Sequence, residues 1–312
     1  MRQYLAEDLI EVVRDKAALG SSVTEGTTDE DILRHLNDEA LTRIYNAVMH
    51  VREEYYVRTE SVPVVSGAVR YRIPHRAMQS KLREVFWVES DGSRWEIFPK
   101  PRSDRAFFSG YPSSLNRPVG FYFEGNHIVL MPDTATSMAG SLLVAYYQRP
   151  GELVLSTSAR QVVSVASGVV TVDSEVPADW TTGVTLDFHS NFSGAETKAW
   201  DITPSLISGS SLTCTVANVD GSIQGRYAVE PGDWVSMSET AALPAIPREW
   251  HPVLAQAAVV SIMETIDPER YPQSAAALDK SIERMYIAAT SRDDGYAPAI
   301  PLSGSVFFSG GA

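Results

Sequence analysis

Apolar and polar positions alternate with two different periods along this chain. Leu5, Leu9, Val12 and Val13 recur at helical spacing, and Gly20-Ser21-Ser22 ends the run. Thr27 with Glu30 three residues on is a capping-box pattern. Behind it, Ile32, Leu33, Leu36, Ala40, Ile44, Ala47, Val48 and Val51 form one apolar stripe, which predicts a helix over residues 28–52. The period then falls to two. Val62–Val65 and Ala68–Ile73 flank the turn signal Ser66-Gly67, which reads as a hairpin whose first strand Pro63 makes an edge or a start. Val85–Val88 and Trp95–Phe98 join through Asp91-Gly92, and Gly120–Glu124 and His127–Met131 through Gly125-Asn126. Residues 99–118 read as a proline-bearing loop, and Ser141–Tyr147 as a further strand.

Residues 151–246 lose helical periodicity and become rich in Ser, Thr and Gly. Strands are expected at 162–165, 169–172, 184–188, 197–202, 211–216 and 233–237, a spacing that suits a small sandwich or barrel. Helices return after Pro247. One stripe runs through Trp250, Leu254, Ala257, Ala258, Ile262 and Ile266, and a second through Ala275, Leu278, Ile282, Met285 and Ala289. The short break between them favours a helical hairpin. From residue 293 the chain is Gly, Pro and Ser with scattered apolars, and reads as an extended tail. The expected class is therefore α+β. A helical core from two N-terminal and two C-terminal helices is combined with β-hairpins (residues 1–150 and 247–292). An inserted small all-β domain (151–246) and a C-terminal tail (293–312) complete it.

Composition narrows the function. The formal net charge is −13, and 21% of residues are charged. That is ordinary for a globular chain and wrong for one that coats DNA, which needs positive charge to displace counterions. By segment the charge is uneven. Residues 1–60 hold 13 acids and 7 bases, 61–118 hold 5 and 10, and 151–246 hold 11 and 3. Such an alternation offers separate surfaces for separate neighbours. No apolar run approaches the ~20 residues of a membrane span. Glu7 and Asp8 stand where a signal peptide needs an apolar stretch, and a single cysteine, Cys214, fits assembly in a reducing host cytoplasm.

Candidate chemistry is thin. The sequence holds no phosphate-cradling glycine loop, no nucleophile elbow and no metal-ligand spacing among its histidines, so no enzyme, metal or cofactor is expected. His35 with Asp38 and Glu39 admits a catalytic cluster, but a solvated helix face is simpler. Asp187 with His189 admits a general-base dyad, and a surface His beside an Asp is the commoner case. The lone Cys214 reads as a small core residue, and the sequon Asn191-Phe192-Ser193 carries no weight without secretion. Trp180, Trp200, Tyr227 and Trp234 would suit a sugar-stacking face, or else fill the insert's core. Val306-Phe307-Phe308 at the tail is wasteful unless it anchors on a partner.

The order of motifs resembles the phage head–tail adaptor, or connector, proteins. Three stretches carry the resemblance. They are Thr28–Ala40; Ser66-Gly67-Ala68-Val69-Arg70-Tyr71-Arg72-Ile73-Pro74 with Val85–Val88; and Tyr146–Leu153, followed beyond the insert by Gly232–Val235 and Ile246–Leu254. Ile73 stands where leucine is usual, and Trp250 where a smaller residue is expected. The resemblance implies a virion protein that forms a ring, dodecameric in the family. The ring would bind the portal, receive the tail nozzle or tail tube, and let genomic DNA pass through its lumen without sequence-specific contact. On that reading Val306, Phe307 and Phe308 are candidates for portal docking. Arg70, Arg72, Arg76, Lys81 and Arg83 are candidates for a basic contact surface facing an acidic neighbour or the DNA channel. A glycan-binding insert on the virion is the rival.

Overall fold

A computed structural model describes residues 4–17, 27–65, 67–109, 117–132, 140–191, 196–223 and 225–290 of the 312. Helix α1 (Ala6–Ala17) is followed by α2 (Asp29–Glu39), which passes through a π turn (Ala40–Ile44) into α3 (Tyr45–Val51). The predicted 28–52 helix is thus one continuous rod with a widened turn inside it. Its stripe residues Ile32, Leu36, Ala40, Ile44 and Val48 are four apart, and all are buried. In a regular helix each such step overshoots one turn by about 40°, so four steps would carry the stripe by about 160°, nearly to the opposite side of the helix. The extra residue of the π turn, closed by Tyr45 N–H to the Ala40 carbonyl, swings it back by about 100°. The cap sits one residue later than the sequence pattern suggested. Thr28 is extended (φ −82°, ψ 166°), its Oγ1 accepts from Asp31 N–H, and the Asp31 carboxylate accepts from Thr28 N–H.

The chain then builds β1 (Val57–Pro63), β2 (Arg70–Arg72), β3 (Ala77–Glu89), β4 (Arg94–Glu96) and β5 (Phe98–Pro99). A short helix, α4 (Arg105–Ser109), lies within the stretch read as loop. After it come β6 (Gly120–Glu124), β7 (His127–Met131), β8 (Gly140–Gln148) and β9 (Glu152–Leu153). One sheet runs β1-β8-β3-β4 and a second β2-β7-β6-β5. The two expected hairpins β3/β4 and β6/β7 form. The hairpin expected across Ser66-Gly67 does not: β1 pairs with β8 along its length and β2 pairs with β7. Gly67 instead carries the chain from one sheet to the other, at φ +85°. The physical reason is the core. Tyr71, Ile73, Val85, Trp87, Ile97, Phe121, Ile128, Leu130, Leu142 and Val144 pack between the sheets. Facing sheets bury both apolar faces, which one hairpin cannot.

The next strands are β10 (Ala159–Ala166), β11 (Val169–Val172), β12 (Leu186–His189), β13 (Thr197–Ile202), β14 (Leu206–Ser208) and β15 (Ser211–Thr213). A short helix α5 (Val216–Val219) precedes β16 (Trp234–Met237) and β17 (Thr240–Ala241). The sheet order is β13-β12-β16-β10-β11-β15-β14. A bulge at Val162/Ser164 bends β10, so its first residues pair with β16 and the rest with β11. The sheet thereby closes over Val162, Val170, Leu186, Phe188, Ile202, Leu212, Cys214 and Val235. Where this unit leaves and rejoins the framework, β9 and β17 pair in parallel, Glu152 opposite Thr240. The insertion is therefore closed at its neck by backbone hydrogen bonds.

Helix α6 (His251–Ile266) and helix α7 (Tyr271–Thr290) complete the described chain. Helix α6 is apolar nearly all round and sits at the centre of the helical core, with α1, α2 and α7 against it. Its alanines 255, 257 and 258 are fully buried, which lets the surrounding helices approach closely. The molecule is α+β, as the sequence indicated.

Candidate functional site

The densest polar cluster lies at the seam between framework and insert. Arg76 lies at the end of the turn between β2 and β3, directly before Ala77, and is 3% exposed. Its guanidinium donates to both oxygens of Asp187 on β12 at 2.6 and 2.9 Å, and to both oxygens of Asp201 on β13 at 2.7 and 3.0 Å. A further bond of 2.8 Å goes to Ser238 Oγ. The Asp187 carboxylate, wholly buried, also accepts from the backbone N–H groups of Asp201 and Glu239, each at 2.9 Å. Both of those residues hold positive φ, 54° and 65°, a conformation that costs a non-glycine residue of order 1 kcal/mol or more. The strain turns two N–H groups onto one buried charge. Arg76 is thus a fork that ties two strands of the insert to the sandwich.

Other contacts line the seam. Arg58 on β1 pairs with Glu196 at 2.8 Å. Gly225, at φ +85°, lies so close to β1 that an added Cβ would collide with the Thr59 carbonyl oxygen. Arg226 donates to the Trp200 carbonyl at 3.0 Å and lies over the Trp200 ring. Burial raises the pKa of Glu60 on β1. Burial also pushes Asp201 upward, but the hydrogen bonds from Arg76 and Ser238 outweigh it, and its carboxyl lies below the usual range. Burial lowers Arg226.

The five basic residues singled out in the sequence do not form one surface. Arg76 is inside, as described. Arg70 and Arg72 are exposed on β2 of the second sheet, and Arg70 pairs with Glu124. Lys81 and Arg83 belong to β3 of the first sheet. Lys81 stands over the Tyr147 ring, and Arg83 pairs with Glu54 at 2.6 Å. Sequence proximity misled because β2 and β3 diverge into the two faces of a sandwich. Val306, Phe307 and Phe308 lie outside the described residues.

The candidate catalytic pairs have structural partners. Asp187 is committed to Arg76, and His189, fully buried, holds the Thr240 carbonyl through Nε2 at 2.8 Å. Burial lowers the His189 pKa. His35 Nδ1 meets Ser261 Oγ on α6 at 3.0 Å, which ties α2 to the core. Burial pushes the Cys214 thiol up to about 11. Trp180 and Trp200 are 4% and 5% exposed, so the sugar-stacking face that needed them is not on the insert's surface. Among the described residues no group of His, Cys, Asp and Glu is placed to hold a metal, and no helix is long and apolar enough to cross a membrane.

Three large aromatics of the sandwich remain exposed, one on the first sheet and two on the second. Trp95 on β4, Phe98 on β5 and Phe123 on β6 are 45%, 55% and 49% exposed. Arg117 lies over the Trp95 ring at 3.7 Å, and Arg102 pairs with Glu124 at 3.2 Å. Sequence reading placed all three in strands, and alternation along a strand did not say which of its aromatics would stay exposed.

A family model described as SU10 adaptor protein matches residues 5–172. The match runs from just before α1, through the helical opening and both sandwich sheets, and ends with β11 inside the insert. No curated protein matches the chain.

Proposed function

We propose, from the premise that this chain belongs to the SU10 adaptor protein family, that it forms a ring joining the phage portal to the tail. It is a phage structural adaptor protein, a component of the virion. Beyond that, the reading is ours. The family match carries it, and two features support it. First, a ring of identical subunits needs two different, mutually complementary patches on each subunit. The uneven charge along the chain, basic over 61–118 and acidic over 1–60 and 151–246, supplies groups of both signs for such patches, with the strand-borne bases of 61–118 divided between the two sheets. Second, the insert is locked to the framework by a buried ionic fork rather than by a free linker, which suits a part that must hold position under load.

On this reading the protein acts by binding alone, without catalysis. The ring is dodecameric, sits on the portal and receives the tail nozzle or tail tube. Its net charge of −13 repels DNA phosphates and lets the genome slide through without sticking. Val306, Phe307 and Phe308 supply apolar anchors for the portal.

The test is to mix the purified protein with its cognate portal and image the mixture by negative-stain electron microscopy. A second ring stacked on the portal is the expected result and gives the stoichiometry directly. A protein that stays monomeric at high concentration and leaves the portal bare would overturn the reading.

A further inference from the structure

We infer that in the free protein the C-terminal tail, residues 303–312, adds as a strand along β14 of the insert of its own chain. Val306, Phe307 and Phe308 would then lie against a face that carries no charge. The purpose rests on the portal reading above: the apolar anchors are sheltered on the insert until the portal takes them.

Three observations carry it. The first is the face. Strand register lines up Ala166, Val169, Thr213 and Leu206 in one row across β10, β11, β15 and β14. The adjacent row, Val165, Val170, Leu212 and Ile207, packs into the insert core. Residues directly opposite share a face and successive residues alternate, so the first row looks outward. Burial agrees: Val170 and Leu212 are fully buried, while Val169 and Leu206 are 37% and 60% exposed. The second observation is charge. Residues 161–172 and 202–219, which supply most of these four strands, hold no Asp, Glu, Lys or Arg, in a chain with 21% charged residues. Laying phenylalanines on a charged face would strip its charges of water, a cost that is absent here. The two longest charge-free runs of the whole sequence are 202–219 and 295–312, each of 18 residues. The second of them contains the tail. The third observation is the edge. β14 ends the sheet order, so along its other side no strand pairs with it among the described residues. It carries Leu206 on the outer face and the half-buried Ile207 on the inner. An added strand presents successive side chains to opposite faces, so Phe307 would cover one of these residues and Val306 with Phe308 the other. Backbone hydrogen bonds to the open edge supply the rest of the contact. Reach is sufficient. The 17 residues from Thr290 to Phe307 span up to about 55 Å extended, against about 50 Å across a compact chain of this length.

Hydrogen exchange on full-length protein without portal is the test, read at the amides of residues 206–213. They should exchange at least tenfold more slowly than in a chain ending at Leu302, with the same circular dichroism and at every protein concentration. Leu206→Asp, at an exposed position, should exchange alike with and without residues 303–312. Added portal should remove the protection. Equal exchange in the full-length and shortened chains would overturn the contact. Protection that appears only at high concentration would assign the face to the tail of a neighbouring copy and overturn the contact within one chain. Protection that persists on the portal-bound protein would overturn the sheltering role. Protection in a protein that leaves the portal bare would uphold the contact while the portal reading fails.

Discussion

Arg76 shows how much one side chain decides. Its charge is fully buried and fully paired, by Asp187, Asp201 and Ser238. A buried pair is a weak source of net stability, but removing one partner strands the other. Arg76→Met should therefore cost about 3–5 kcal/mol in chemical denaturation, because Asp187 is left as an uncompensated buried carboxylate. Arg76→Met with Asp187→Asn should cost less than the single change, since neither charge then remains. A single change no worse than the double would refute the fork. His251 gives a second prediction. Burial drops its pKa to about 4, from 6.5 in the unfolded chain. Its Nε2–H donates to the Ile246 carbonyl at 3.3 Å, so the neutral ring is the one the fold accepts. Below pH 6.5 the unfolded chain takes up a proton that the native state refuses. Stability should thus fall as pH drops from 6.5 toward 4, by about 3 kcal/mol at most from this residue. His189, also lowered by burial, adds to that slope, and Asp201 extends it below the ordinary carboxylate range. Glu60, raised by burial, acts in the opposite sense. Urea midpoints measured across this window should flatten in His251→Gln, and an unchanged slope would reject the assignment.

At the scale of elements, the long second helix is the instructive case. Its cap is Thr28 with Asp31, not Thr27 with Glu30. Thr28→Ala should cost about 1 kcal/mol and Thr27→Ala less than about 0.5 kcal/mol, read as shifts in denaturation midpoint. Equal effects would mean the cap is misplaced. The stripe along this helix was legible because burial repeats every four residues. The π turn that keeps the stripe facing α6 was not, because its cause is the accumulated angular drift and not any one residue. The β1–β8 pairing was hidden for a related reason. Residues 57–61, Val-Arg-Thr-Glu-Ser, show no apolar alternation. They form a strand because β8 offers its full length as a partner.

At the scale of the whole molecule, framework and insert behave as separate cores joined by a polar seam and a paired neck. Deleting residues 303–312 should leave helical content and melting temperature unchanged but abolish binding to the portal, measured by co-sedimentation. A truncated chain that still binds would move the docking site elsewhere. The five bases first grouped as one contact surface show the limit of reading proximity along a chain, since Arg72 and Lys81 end on opposite sheets.

The sequence by itself determined most element types, the order helices, β-strands, β insert and helices, the apolar stripes and the uneven charge. These depend on local periodicity and composition, which neighbours along the chain set. It also carried the resemblance to an adaptor. Only the tertiary structure decided which charges meet. Arg76 and Asp187 are 111 residues apart, and no spacing rule links them. Only the tertiary structure hid Trp180 and Trp200 in the insert and left Trp95, Phe98 and Phe123 outside. Side-chain type fixes what a residue can do, but burial and partner depend on which strands lie against each other, and that is settled by packing of the whole chain.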